Sequence, residues 1–171
     1  PPFGTDFEII SIYDPPLRVG IQKFRHLFPL IGTIGLHPAG QKLYGIKMHR
    51  LFELIKTKQD IDSALAILLD EGYIVDSEKY QLGKTISEIF DIPEVEQMFD
   101  SRWRVLNETE IFDVEKDKLC RPDRIMIDDD SKQAIVLDYK FGSIEQNKYK
   151  TQVERYVKLL TQMGYATQGY I

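Results

Sequence analysis

The stretch from residue 121 to residue 140, RPDRIMIDDDSKQAIVLDYK, constrains the fold more than any other part of the chain. Residues 121–127 alternate apolar with polar or softer side chains, and residues 133–139 form a second, more continuously apolar run. Residues 128–132 between them are rich in aspartate, a composition typical of a turn. The pattern therefore predicts two antiparallel strands joined by an acidic turn.

This predicted hairpin brings charged side chains together. Directly opposed side chains of neighbouring strands lie about 4.5 to 5.5 Å apart at Cβ, so we expect Asp123 close to Asp138. Two carboxylates at that distance repel each other unless a cation lies between them. Because side chains alternate along a strand, Lys140 falls on the same face as Asp138. The stretch thus predicts a metal site with an ammonium group beside it, although a single D-x-K sequence is usually only the solvated end of a strand.

The composition is that of one globular domain, with 171 residues of which 43% are hydrophobic and 29% charged. The formal net charge of -5 argues against a domain that coats DNA by charge alone. Acidic residues that hold metals also lower the net charge, so charge does not decide the class. The single cysteine, Cys120, excludes an internal disulfide framework and a cysteine-rich zinc site, and it fits a reducing, cytoplasmic compartment.

Other features concern the boundaries of the chain. No apolar run is long enough to span a membrane, so we expect no membrane partner. The chain begins without a methionine and ends in a strand-like sequence, and we therefore expect it to be a piece of a larger protein. Residues 1–38 lack clean periodicity and are expected to form an irregular lead-in to the domain.

The first regular element is expected to be a helix that begins at about residue 38. Apolar residues spaced three or four apart predict an amphipathic helix here, with His49 at the margin of its apolar stripe. A lone histidine in that place is more often a core-edge residue than a ligand. Three further helices are expected between about residues 60 and 100, because Asp60, Ser77 and Pro93 are typical residues of a helix start. We interpret this segment as an extra helical insertion.

The next elements are strands and one more helix. Residues 103–112 alternate in polarity and predict a third strand, with Glu108 and Glu110 on one face. Most exposed strand glutamates are merely solvated, so either one alone is weak evidence of a site. Residues 145–163 predict a helix after a break at Gly142, and a last strand begins at residue 166. This order predicts an α/β or α+β fold in which a sheet is flanked by helices.

Gln152 is the polar exception in the apolar stripe of the last helix, which also contains Tyr156. Gln152 and Tyr156 are i and i+4 neighbours, so their hydrogen-bonding ends share a face of the helix. On helix evidence alone, a tyrosine at the edge of the core beside a solvated glutamine is the simpler interpretation.

Together these residues resemble the RecB-like branch of the PD-(D/E)xK nucleases, found at the C-terminal end of bacterial helicase-nucleases of the AddA and RecB type. The resemblance covers about residues 40–171, and its motifs follow in the order of the family: GIKMHRLFE, VLNETEIF, RPDRI, VLDYKFG and QVERY. It implies a restriction-endonuclease-like core with a central mixed sheet, occupying residues 39–171. It also implies a metal-dependent DNA nuclease of exonuclease type that acts in end processing and recombinational repair.

The resemblance implies a metal centre that binds Mg²⁺ or Mn²⁺. His49, Asp123 and Asp138 would be the ligands, together with the backbone carbonyl of Tyr139. Lys140 would position or activate the attacking water molecule. An imidazole ligand is unusual for a pure magnesium site, which makes Mn²⁺ a good substitute.

The resemblance also implies roles for three residues around the metal. Glu108 would be an additional catalytic acid beside Asp123 and Asp138, and Glu110 is an alternative for that role. Gln152 and Tyr156 would match the QxxxY element of the family, which lines the site and the path of the DNA.

The implied partners are DNA, a helicase motor of the UvrD/Rep-like family in the same full-length chain, and a second helicase-nuclease subunit. The implied location is the bacterial cytoplasm, at the nucleoid. One alternative is a catalytically inactive DNA-binding or scaffolding module of the same fold, which would be expected to have lost a ligand or the lysine. Another is a metal-dependent phosphatase for small substrates, which would need a closed pocket.

Overall fold

The computed structural model describes residues 38–140 and 146–171, with side chains described for residues 42–140 and 149–171. The expected irregular lead-in, apart from residue 38, and the expected break at Gly142 lie outside the described residues. No helix in the described part of the chain is both long and apolar enough to cross a membrane.

Helices make up the first part of the fold. They are α1 (Pro38–Leu54), a short 3₁₀ helix (Lys58–Asp60), α2 (Ile61–Asp70), α3 (Asp76–Phe90) and α4 (Pro93–Met98). Asp60 precedes α2, and its carboxylate accepts hydrogen bonds from the backbone N–H groups of Lys56 and Thr57. Pro93 is the first residue of α4, where its missing N–H group is not needed. The three helices expected between residues 60 and 100 are confirmed, although α3 begins one residue before Ser77.

The second part of the fold is a mixed sheet. Its elements are β1 (Arg104–Asn107), β2 (Ile111–Asp113), β3 (Lys118–Cys120), β4 (Arg124–Asp128), β5 (Gln133–Leu137), α5 (Gln146–Gln162) and β6 (Ala166–Tyr170). Four strands form one sheet in the order β1-β4-β5-β6, whereas β2 and β3 form a separate two-stranded ribbon. β4 is antiparallel to β1 and β5, and β6 is parallel to β5, so α5 forms the crossover. The expected class, a mixed sheet flanked by helices, is confirmed.

The register of the β4–β5 hairpin agrees with the sequence prediction. Arg124 is opposite Leu137, and Asp128 is opposite Gln133. The strands end one residue short of Asp123 and Asp138, and continuing the same register places these two residues opposite each other. The acidic turn therefore brings both carboxylates to one end of the sheet.

The prediction of one strand over residues 103–112 was wrong. Glu108 has a φ angle of 50°, in the left-handed region that few residues adopt, and this ends β1. Its backbone N–H group donates a hydrogen bond to the carbonyl of Asp123, 3.0 Å away, and so holds the bend in place. The chain then leaves the sheet and forms the ribbon of β2 and β3. Glu108 and Glu110 therefore do not share the face of one strand.

The core has two parts, one on each face of the sheet. Met126 of β4 packs into a cluster formed mainly by α1 to α4, whereas Ile125 and Ile127 pack with α5. Gly169 of β6 permits close packing of α5, because a Cβ atom there would lie 2.5 Å from Val153 and 2.6 Å from Val157. The sheet is thus fixed between α1 and α5, the two helices that carry candidate site residues.

Candidate metal centre

His49 lies on α1 and faces the end of β4. Its Nδ1 atom is 3.5 Å from Oδ2 of Asp123, and the ring is hydrogen-bonded to the backbone of Tyr139. Burial and the nearby Lys140 lower the pKa of His49, which outweighs the opposite effects of Asp138 and the hydrogen bond. These surroundings therefore favour the neutral imidazole, the form in which histidine binds metals.

Asp123 precedes β4, and its side chain is only 13% exposed. Its Oδ2 atom accepts a hydrogen bond of 2.6 Å from the backbone N–H group of Tyr139. Burial, and then the charge of Asp138, raise the pKa of Asp123 to about 7, although Lys140 and the hydrogen bond act in the opposite direction. Its surroundings therefore compensate its negative charge only in part, which is what a cation-binding carboxylate requires.

Glu108 completes a group of possible ligands with His49 and Asp123. One ligand atom of each residue lies within 4.8 Å of the other two. Adjacent ligands of an octahedral Mg²⁺ lie about 3.0 Å apart and opposite ones about 4.2 Å, so the three side chains would have to move closer together around an ion. One imidazole and two carboxylates suit Mn²⁺ as well as Mg²⁺. Glu110, the alternative acid, is exposed and does not belong to this group.

Asp138 and Lys140 form an ion pair next to this group. Asp138 is buried, and its carboxylate contacts Nζ of Lys140. Its backbone N–H group donates to the carbonyl of Tyr170 on β6, which fixes the position of the residue. Asp138 is therefore close enough to affect the pKa values of Asp123 and His49, but it is not one of the three grouped ligands.

The backbone of Tyr139 links the residues of the site. Its N–H group donates to Asp123, and its backbone is also hydrogen-bonded to the ring of His49. The carbonyl that the family resemblance implies as a metal ligand therefore belongs to a residue that is held by both side chains. The side chain of Tyr139 is buried, and its ring stacks on that of Phe52 with 4.9 Å between the ring centres. The aromatic core thus holds the site backbone in place.

Helix α5 brings Gln152 and Tyr156 to the same end of the sheet. Nε2 of Gln152 donates to the hydroxyl of Tyr156 at 2.7 Å, so the two side chains share a face as expected. The hydroxyl of Tyr156 in turn lies 3.5 Å from the carbonyl of Arg121. Burial raises the pKa of Tyr156, and the charges of Asp138 and Asp123 add to the rise, although the hydrogen bond with Gln152 acts in the opposite direction.

Two arginines at the site were not predicted. Nε of Arg121 is 3.0 Å from Oε2 of Glu108, at the exposed side of the ligand group. Arg124 is fully buried and donates to the carbonyls of Ile55 and Lys56, at 2.6 and 2.8 Å. The sequence carried a signal for Arg124, because alternation along β4 places it on the same face as the core residue Met126.

The chain matches no model of a known protein family. It also has no significant match among curated proteins.

Proposed function

We propose that this chain is a metal-dependent DNA nuclease of the RecB-like PD-(D/E)xK type, with a restriction-endonuclease-like core. The observation that carries the proposal is the convergence of His49, Glu108 and Asp123 within 4.8 Å, beside the ion pair of Asp138 and Lys140. These side chains come from α1, from the bend after β1 and from the residues that flank both strands of the hairpin. Residues so far apart in sequence meet here because the sheet register and α1 place them at one point.

The metal is Mg²⁺ or Mn²⁺ in this proposal. His49, Glu108 and Asp123 would hold it, and the backbone carbonyl of Tyr139 and one oxygen of Asp138 are the further candidate ligands. A bound divalent ion acidifies a water molecule and neutralises charge on a phosphate oxygen. The raised pKa of Asp123 fits this role. Burial and a neighbouring acid destabilise its carboxylate, and a destabilised carboxylate gains most from a bound cation.

The other residues supply orientation and charge. Lys140 is 19% exposed, so its ammonium group can reach a phosphate at the surface while Asp138 and the ring of Tyr149, 5.2 Å from Nζ, hold it in place. We assign to it the orientation of the attacking water molecule and the stabilisation of charge that builds up on the phosphate. Gln152 and Tyr156 would contact the DNA strand next to the scissile bond.

The biological setting of the proposal follows the family resemblance. The partners would be DNA, a helicase motor in the same full-length chain and a second helicase-nuclease subunit, in the bacterial cytoplasm. An inactive scaffolding module would be expected to lack a ligand or the lysine. All the positions of the motif set are occupied by the residue types that the chemistry needs, and this favours the enzyme.

The two neighbouring glutamates allow a matched test. Glu108→Gln should reduce Mg²⁺-dependent degradation of linear DNA at least about 100-fold, because an amide is a poor ligand for a hard cation. Glu110→Gln makes the same change in charge two residues away and should keep wild-type activity. EDTA should abolish cleavage by both the wild type and the Glu110 variant. Equal rates in the two glutamine variants, or cleavage that survives EDTA, would contradict the proposal.

A further inference from the structure

Arg121 lies at the solvent side of the candidate metal centre. Its side chain is 61% exposed, and Nε is 3.0 Å from Oε2 of Glu108. Its backbone has a contact of its own, since the carbonyl of Arg121 is 3.5 Å from the hydroxyl of Tyr156. The residue therefore combines a fixed backbone with a guanidinium group that can reach solvent.

Glu108 has two competing partners in this arrangement. One of its oxygens belongs to the ligand group with His49 and Asp123, and Oε2 pairs with Arg121. The backbone N–H group of Glu108 donates to the carbonyl of Asp123, so the main chain is held at this position whichever partner the carboxylate takes. An exposed ion pair stabilises a protein little, so breaking the pair with Arg121 opposes metal binding only weakly.

A divalent cation adds two positive charges to the centre. In its absence the carboxyl groups of Glu108, Asp123 and Asp138 face two cationic side chains, those of Arg121 and Lys140. The added charge makes the centre more favourable for an anion such as a phosphodiester group.

We propose that Arg121 is a phosphate-binding residue that changes partner: it pairs with Glu108 before the metal binds and with a backbone phosphate of the DNA afterwards. The inference rests on the proposed nuclease function and adds to it a contact for the substrate. A guanidinium group suits this exchange, because its fork of N–H donors fits a carboxylate and a phosphate equally well.

Arg121→Ala tests the exchange, because its two predicted effects have opposite signs. Calorimetric titration with Mn²⁺ should show affinity about three-fold higher than in the wild type, since a competitor for Glu108 is gone. The KM for a single-stranded oligonucleotide should rise about tenfold, with a smaller change in kcat, because a charge-assisted contact to the substrate is lost. The slope of log KM against log salt should also fall by about 0.7, the value for one phosphate contact on a single strand.

Two further variants make the result specific. Arg121→Lys keeps the charge and should recover part of the KM and the salt slope. Arg104→Ala removes an exposed arginine from a comparable ion pair, with Asp129 at 2.8 Å, and should change neither quantity. A lesion of the fold would instead weaken metal and DNA binding together.

The outcomes separate the two proposals. If the wild type binds Mn²⁺ and cleaves DNA while Arg121→Ala has unchanged KM and salt slope, the partner exchange is wrong and the nuclease assignment stands. Weaker Mn²⁺ binding by Arg121→Ala also overturns the exchange. If the wild type binds no Mn²⁺ and cleaves no DNA, the proposed function is wrong and this inference is overturned with it.

Discussion

The fold places the candidate metal ligand Asp123 where its charged form is unfavourable. Its pKa is raised from 3.8 to about 7, because burial and then Asp138 disfavour its charge. A carboxyl group with a raised pKa in the folded state binds a proton that the unfolded chain has already released. Between these two pKa values the folded state therefore loses stability as the pH rises, and above the upper value the loss is constant.

This linkage gives a pH prediction for the metal-free protein. In urea unfolding with EDTA, Asp123→Asn should gain stability relative to the wild type from about pH 4 to about pH 7 and then reach a plateau, with a total gain on the order of a few kcal/mol. Asp130→Asn is a control in an exposed turn and should show no such trend. If the difference in free energy of unfolding between Asp123→Asn and the wild type does not depend on pH, the folded state does not disfavour the charged form of Asp123.

Lys140 should separate metal binding from chemistry. An ammonium group cannot be a metal ligand, so Lys140→Ala should bind Mn²⁺ at least as tightly as the wild type in a calorimetric titration. Its cleavage rate should fall by about 100-fold or more, because a fixed positive charge at the reacting phosphate is lost. Lys150→Ala, on the exposed part of α5, is the matched control. Wild-type cleavage by Lys140→Ala would exclude the role assigned to this lysine.

At the scale of elements, the hairpin could be predicted and the ribbon could not. The turn between β4 and β5 is marked by a run of aspartates, and the strands on both sides are apolar, so composition fixed the register. The β2–β3 ribbon has only three residues in each strand, and the turn between them contains no glycine. Asp117 instead takes the positive φ angle, 47°, that this turn needs, a conformation that aspartate tolerates better than most residues. The strands of the ribbon are too short to show a periodicity by which the sequence could identify them.

The same difficulty affected the candidate site. The opposition of Asp123 and Asp138 followed from the turn, whereas Glu108 was wrongly placed within a strand. The family resemblance put Glu108 near a metal held by His49 and Asp123. Residue patterns alone could not predict this grouping, because it depends on a bend with a φ angle of 50° and on the packing of α1 against the sheet. The ion pair of Arg121 with Glu108 depends on the same bend and has no sequence signature of its own.

Arg124 connects two elements that carry the site. Its guanidinium group binds the carbonyls of Ile55 and Lys56 just after the end of α1, where the helix dipole favours a cation. It also lies 4.1 Å over the ring of Phe99, which covers it from the side of the helices. Because Arg124 follows Asp123 directly, these contacts fix α1, and with it His49, relative to the first ligand of the hairpin.

Replacing this buried arginine should destabilise the whole fold. Arg124→Met leaves two helix-end carbonyls without donors, and we expect the free energy of unfolding in urea to fall by about 2 to 4 kcal/mol. Arg124→Lys should recover only part of this loss, since one ammonium group cannot reproduce the fork. The exposed variant Arg104→Met should change stability by less than about 0.5 kcal/mol. Similar losses for the two methionine variants would show that Arg124 does not connect α1 to β4.

At the scale of the whole molecule, charge is distributed in local pairs. The formal net charge is -5, and many basic side chains in the described part of the chain contact an acid: Lys47 with Glu78, Lys58 with Asp91, Arg104 with Asp129, and Lys158 with Glu115. Each of these contacts offsets one positive charge with one negative charge. In the part of the chain that the structure describes, these four pairs therefore add no net positive charge that could hold a long stretch of DNA.

This charge distribution predicts weak DNA binding by the chain alone. If Arg121 and Lys140 supply the main phosphate contacts, the logarithm of the binding constant should fall with the logarithm of salt concentration with a slope of about -1.4 for a single strand. Fluorescence anisotropy of a labelled oligonucleotide at several salt concentrations measures this slope directly. A slope of about -4 or steeper would instead indicate an extended basic track.

With so few contacts, cleavage should depend on delivery of the strand. In the proposed helicase-nuclease, a helicase motor in the same chain would raise the effective concentration of the strand at the centre. Cleavage should then be slow for the chain alone and much faster for a full-length helicase-nuclease that consumes ATP, whereas equal rates without ATP would show that the centre needs no delivery.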